Sequence, residues 1–435
     1  MAQNHGTIWH PYYTDFVYPQ FYEQPPLGFL LQSFAYRLFG DSLHVEAFWG
    51  IVVGLLILAI MARIWGYPGP GRRSGAWLPV LMFSLMPMTS WLLANNMLEG
   101  TMTVFSTLAA LLAIAGLGAP AKMKSMALAF LAGSLVLCAV LIKGPVGLFP
   151  CAIPAVWLVA SGAKRWRQAA MATALMILGF LVPFVILALT QGDFLYALNR
   201  YYIQQVVASV SGHREKGTSS IWIMLVVLRE VIVPLALAML AWGVLAFKNK
   251  IKRRPSFAGP FWFYLLIALS ASLPIAISQK QLGWYVFPSL PFYSLAAAAL
   301  FRNSLAPLPG ALGKNRLRSG VVWGATILVF MGAVLWMFSE KGRVKRQKEF
   351  HDDFTIQPLA LPARQDVSVY PPELKYDWAL VANMQRQFAA SLSDVRGYNY
   401  LLTTVGGQAF IDSLGTYRKI HPPRPAHYVL YERRN

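Results

Sequence analysis

Ten apolar runs of spanning length, separated by short connections that alternate between strongly and weakly basic, constrain this chain more than any single motif. The runs are Ala47 to Ala62, Trp77 to Leu93, Thr101 to Gly118, Met126 to Ile142, Gly147 to Ala160, Met171 to Leu189, Ile221 to Phe247, Phe261 to Ile277, Trp284 to Phe301 and Val321 to Phe338. A bilayer accepts segments of about 20 apolar residues and satisfies their backbone internally only as helices. The pattern therefore predicts an all-α polytopic membrane protein of about ten transmembrane helices. Composition agrees, with 56% of the 435 residues hydrophobic and only 13% charged, against about 25% charged in soluble domains. The run from Gly147 to Ala160 is short and contains proline, so it reads as a half-span or as one leaning on its neighbours.

The net charge of +20 would point to nucleic acid in a soluble protein. Here the basic residues sit in every second connection: Arg63, Arg72 and Arg73; Lys122 and Lys124; Lys164, Arg165 and Arg167; Lys248 to Arg254; Arg302 to Arg318. By the positive-inside rule these are cytoplasmic loops, both chain ends face outward, and no nucleic-acid partner is expected. Cys138 and Cys151 lie inside apolar runs and supply neither a disulfide framework nor a cysteine metal cluster.

Three regions follow. Residues 1–44 form an outward segment, and within it Leu27, Leu30, Leu31, Phe34 and Leu38 recur at helical spacing behind Pro25 and Pro26. That stretch is too short to span, and predicts an amphipathic helix lying in the interface plane. Residues 45–338 hold the spans. Residues 339–435 turn soluble, with β-like runs at Val367 to Tyr370, Tyr400 to Thr404 and His427 to Tyr431 and a helical pattern from Trp378 to Leu392, which predicts a small outer α/β domain. The basic run Lys341 to Lys348 beside the last span runs against this orientation locally.

Ionisable residues crowd toward the outward ends of the spans: Glu23 and Gln24, Glu99 after Asn95 and Asn96, Lys143, Arg200, His213 and Lys280 before Tyr285. Such groups are rare at membrane depth unless they line a cavity or site. Lys143 ends a spanning run and precedes Gly144-Pro145, which breaks the helix and leaves a cation where a lipid-linked phosphate would lie; the alternative is a lysine snorkelling from a helix end. Lys280 carries the same two readings. Tyr285 reads alone as an interfacial aromatic. Glu23 and Glu99 are the residue type that deprotonates a hydroxyl, or else solvated loop acids. Glu23 with His213 is a candidate divalent-metal pair, two ligands from distant loops. The tail carries no catalytic pattern.

Phe21-Tyr22-Glu23-Gln24-Pro25-Pro26-Leu27, Leu98 to Phe105, Lys143-Gly144-Pro145-Val146 and Lys280 through Tyr285 to Pro288 and Pro291, in this order, resemble the GT-C glycosyltransferases. The branch is similar to the protein O-mannosyltransferases and the aminoarabinose lipid A transferase. The resemblance covers most of residues 1–301. It implies an inverting membrane enzyme that moves a sugar from a polyprenyl-phosphate carrier to a lipid, protein or glycan acceptor on the outer face, with no nucleotide sugar and no required cofactor. By carry-over, Glu23 lies in a Glu-Lys-Pro-Pro-like motif by the active cavity, with Gln24 where many members have lysine. Glu99 stands where aspartate is usual. Lys143, Lys280 and Tyr285 match positions associated with the carrier phosphate, and Arg200 and His213 fall in the loop folded over the site. Family members carry a first spanning helix and an acidic motif ahead of the residue at which this chain starts, so the reading includes an expectation of an upstream start. A bacterial inner membrane with a periplasmic active face fits a tail without glycosylation sites or disulfides. The competing classes are a transporter or flippase for a lipid-linked anion and a non-catalytic lipid-binding relative. Crowding of polar groups at one face favours chemistry over passage.

Overall fold

The computed structural model describes residues 6–67, 75–161, 165–210, 221–247, 255–257, 259–277, 281–306, 331, 348–355, 361–362, 364–395, 397–421 and 427–434. The chain divides into two compact units, one of Met1–Asn4 and Tyr22–Val321, the other of His5–Phe21 and Val322–Asn435.

The first unit is helical. In chain order it contains α1 (Leu27–Phe39), α2 (Leu43–Trp65), α3 (Trp77–Ser84), α4 (Pro87–Ala94), α5 (Leu98–Leu117), α6 (Lys122–Lys143), α7 (Ile153–Ser161), α8 (Trp166–Thr190), α9 (Phe194–Tyr201), α10 (Ile221–Phe247), α11 (Gly259–Ser272) and α12 (Leu290–Leu300). Six of these, α2, α5, α6, α8, α10 and α11 with its continuation to Ala276, are long and apolar enough to cross a membrane. α3 and α4 meet at a 70° bend and make a seventh if counted as one broken span. Pro87 sets that bend, because it opens α4 with a residue that has no N–H to give the preceding turn. The sequence run from Gly147 is short and apolar as expected, a 3-10 turn over Pro145–Ala152 leading into α7. The run from Trp284 is likewise split between a 3-10 turn, Gly283–Ser289, and the eleven-residue α12. The run from Val321 lies outside the described residues apart from Met331. Large apolar side chains such as Leu131, Ile177, Val185, Leu228 and Leu240 stay exposed on these helices, as they do where lipid is the solvent. The chain is an integral membrane protein.

Small residues let the helices approach. A Cβ at Gly133 of α6 would come within 1.9 Å of the Met176 carbonyl oxygen of α8, and one at Gly179 of α8 within 1.9 Å of the Phe130 carbonyl oxygen. Close backbone approach through small residues is the usual packing device where burial gives no hydrophobic drive. α1 forms where the apolar spacing places it, but its stripe divides. Leu27 and Leu31 pack on Met102, Ala139 and Ile142 of α5 and α6, while Phe34, Leu38 and Phe39 remain exposed, an apolar edge suited to the membrane interface.

The second unit carries a five-stranded sheet of order β2-β1-β3-β5-β4, with β1 Asp366–Tyr370, β2 Ser391–Ser393, β3 Tyr400–Thr404, β4 Tyr417–His421 and β5 Tyr428–Arg433. β1 pairs in parallel with β2 and β3, and β5 runs antiparallel to β3 and β4. Parallel neighbours need a crossover, supplied by α13 (Trp378–Phe388) between β1 and β2. Asp377 caps that helix by accepting from the amides of Ala379 and Leu380. The helical pattern read to Leu392 stops earlier: Ala389 takes a left-handed conformation at φ 50°, and Ser391–Ser393 leaves as a strand. α14 (Gln408–Leu414) lies with Leu401, Tyr417, Val429 and Tyr431 on one face of the sheet, and α13 with Val367, Leu402 and Leu430 on the other.

Candidate functional site

The site is built where α5 begins and α6 ends. α5 enters on the extended residue Met97, with Glu99 in its first turn, where the helix dipole favours an anion. α6 runs antiparallel beside it and finishes on Lys143, where the dipole favours a cation. Two antiparallel neighbours thus bring opposite charges to one end. Lys143 Nζ lies 3.1 Å from Glu99 Oε1, with Glu99 only 1% exposed and Lys143 14%. The contact is an ion pair off the direction of a good hydrogen bond, since neither Glu99 oxygen has a hydrogen-bond partner among the described residues.

Gly144 stops α6 with φ +82° and ψ −154°, a conformation open essentially to glycine. The space its side chain would need is filled, because a Cβ there would sit 2.0 Å from the Tyr201 hydroxyl. That hydroxyl donates to the Lys143 carbonyl at 3.4 Å. Tyr285, in the 3-10 turn Gly283–Ser289, places its ring 5.9 Å from Lys143 Nζ, at the outer reach of a cation–π contact.

A cavity of about 470 Å³ opens beside this pair. Its polar wall includes Glu23, Gln24, Lys143, Tyr201, Gln205 and Tyr285, and its apolar wall Val146, Phe149, Pro274 and Ile275. Gln205 donates its side-chain N–H to Glu23 Oε2. Gln205 belongs to a π turn, Tyr202–Val207, that continues α9, and π turns recur at functional sites.

Four of the eight site residues read from the sequence, Glu23, Gln24, Lys143 and Tyr285, therefore line one cavity. Glu99 stands behind that wall as the partner of Lys143. Arg200 is exposed on α9 and outside the lining; its charge acts on Tyr22, whose phenol burial pushes up and Arg200 pulls back down. His213 and Lys280 lie outside the described residues. Among the described residues no three metal-ligating side chains converge. Sequence reasoning missed Tyr201, Gln205 and Ser209, all in the lining. Their spacing of four residues was a legible signal for one face of a helix.

No family model matches this chain, and no curated relative does. Among solved structures it is similar to ArnT from Cupriavidus metallidurans bound to undecaprenyl phosphate, with a TM-score of 0.62 and 16% identity over 97% of this chain and 90% of that one. The apo state of the same ArnT aligns with a TM-score of 0.59 and 16% identity, over 95% and 88%. The two chains share the GT-C fold.

Proposed function

We propose that this protein is a membrane glycosyltransferase that moves a sugar from a polyprenyl-phosphate carrier to a lipid, protein or glycan acceptor, with inversion, at the outer face of a bacterial inner membrane. The observation that carries the reading is the cavity itself: one lysine and one carboxylate, Lys143 and Glu23, on a wall that is otherwise largely apolar. That mixture suits a headgroup that is anionic at the phosphate and joined to a prenyl chain. The undecaprenyl phosphate named for the structural neighbour supports the choice of carrier.

In this reading Lys143, with Lys280, holds the carrier phosphate and stabilises it as it leaves. Glu23 takes the acceptor hydroxyl proton. The acceptor oxygen bonds to the anomeric carbon, the bond from that carbon to the phosphate oxygen breaks, and the polyprenyl phosphate departs with the electron pair. Glu99 is set too deep for the proton transfer and fixes the lysine instead. Gln24, Gln205 and Tyr201 offer neutral hydrogen-bonding groups to the sugar hydroxyls. The pairing of Glu23 with His213 about a divalent metal is a separate proposal, checked by metal analysis of the purified protein and its Glu23→Gln and His213→Ala variants.

The test is transfer of radiolabelled sugar from a panel of polyprenyl-phosphate donors to endogenous acceptors in membranes. Glu23→Gln is expected to lower transfer by about 10²- to 10⁴-fold, the range of general-base catalysis, while still retaining a fluorescent polyprenyl phosphate. Retention of carrier without transfer by the parent protein, from any donor, would leave a lipid-binding relative in place of an enzyme.

A further inference from the structure

Glu230 is a buried carboxylate within an apolar 27-residue helix, and the site described above makes no use of it. It lies nine residues from the start of α10, about 14 Å along the axis at 1.5 Å per residue. An ionisable group at that depth is expensive and calls for a partner. Its partner is the Met88 amide, which donates to Glu230 Oε2 at 2.8 Å. Met88 is the second residue of α4, so Glu230 caps from a neighbouring helix the N-terminus that the Pro87 bend leaves without carbonyl acceptors.

The same face of α10 reaches the turn that carries Tyr285. Val226 is one turn from Glu230 and lines the space beside Gly283, at 3.6 Å from where a Cβ would stand. Gly283 opens the 3-10 turn that carries Tyr285. The two elements held by α10 also touch each other, with Trp91 of α4 at 5.9 Å from Trp284 and Trp284 at 6.3 Å from Tyr285, centroid to centroid. We infer that Glu230 is a positioning residue: by capping α4 it fixes Trp91 against Trp284 and so holds Tyr285 beneath Lys143 at the cavity wall. The kinetic part of this inference rests on the proposed transferase reading; the structural part does not.

Amide hydrogen exchange and transfer kinetics on the full-length protein in nanodiscs test the two parts separately. Glu230→Gln keeps an oxygen that accepts from Met88 and is expected to match the parent in both. Glu230→Leu is expected to speed exchange in residues 86–95 and 283–289, leave α5 and α6 protected, and lower kcat about tenfold with KM little changed, since misplacement of order 1 Å can cost up to about 10²-fold. Trp91→Leu keeps the cap and cuts the link, so it is expected to speed exchange in 283–289 alone and to decide the matter should Glu230→Leu fail to fold. The inference is overturned if Glu230→Leu loosens only 86–95, or if Trp91→Leu leaves 283–289 at the parental rate. Loosening of 283–289 in a protein whose parent transfers no sugar would uphold the clamp and remove the enzymatic reading.

Discussion

Removing Lys143 should cost more stability than removing the acid it pairs with, although the two share one contact. The reason is where each group is left. Glu99 is 1% exposed, and its second carboxylate oxygen has no hydrogen-bond partner among the described residues. Lys143→Met therefore strands a carboxylate in an apolar wall, and breaking a buried pair this way costs about 3–5 kcal/mol. Lys143 lines the cavity, so Glu99→Met leaves an ammonium that water still reaches, at about 1 kcal/mol, the scale of a solvated pair. The double variant has no orphaned charge, and substituting both members of a buried pair by apolar groups is often near neutral. A double-mutant cycle should then return a coupling of about 4–6 kcal/mol, far above the roughly 0.5 kcal/mol scatter of independent sites. The assay is unfolding of the full protein in mixed detergent micelles, followed by far-UV circular dichroism, with all four proteins in one buffer. Additive costs, or a larger loss from Glu99→Met than from Lys143→Met, would refute the assignment of Glu99 as the buried partner.

Gly144→Ala should destabilise by about 1–3 kcal/mol from backbone strain alone, and should also weaken retention of a fluorescent polyprenyl phosphate because the new methyl displaces Tyr201 from the cavity wall; unchanged retention would refute that link. Gly133→Ala meets backbone rather than a flexible side chain, so a loss of about 3 kcal/mol, the upper end for overpacking, is expected in the same unfolding assay. In the second unit, burial first and then the charge of Asp15 raise the Asp366 carboxyl above its ordinary 3.8; Asp15 is itself held by Tyr12 and Ser391. The folded state then binds a proton more tightly than the unfolded one, so this group's contribution to stability is greatest below the ordinary value and is lost as pH rises from there through the raised value. Asp366→Asn should remove that loss, slowing amide exchange in β1 and β2 at neutral pH; equal exchange in parent and variant at every pH would count against it.

The membrane fold was legible because apolar length and charge alternation are one-dimensional signals. What one dimension hides is where a run breaks. Pro87 inside the run from Trp77 was visible, yet only the Glu230 cap shows how a 70° bend is tolerated at that depth. The pair Arg229-Glu230 interrupted an apolar run and was read as part of it. In the tail, β2 and β4 were missed because three residues of Ser391–Ser393 are too short for an alternation signal, and Tyr417–His421 mixes polar and basic residues. The candidate site was half legible. Glu23, Gln24, Lys143 and Tyr285 announced themselves as polar groups beside helix breakers, whereas the Glu99–Lys143 pairing depends on α5 and α6 being antiparallel neighbours, which no local pattern states.

Helix ends account for most of the ionisable chemistry in the first unit. Glu99 at the start of α5, Lys143 at the end of α6 and Glu230 against the start of α4 each sit where a helix dipole carries the opposite sign. A membrane unit has few other places to hold a charge without water. The cavity follows from the same rule: α6 must end for its last residue to present a cation, and Gly144-Pro145 both ends it and opens space that Tyr201 and the apolar turn after it line. Restoring helix continuity there, with Gly144→Ala and Pro145→Ala together, should therefore remove the cation from the cavity and the cavity itself, a change that Lys143→Met alone cannot produce.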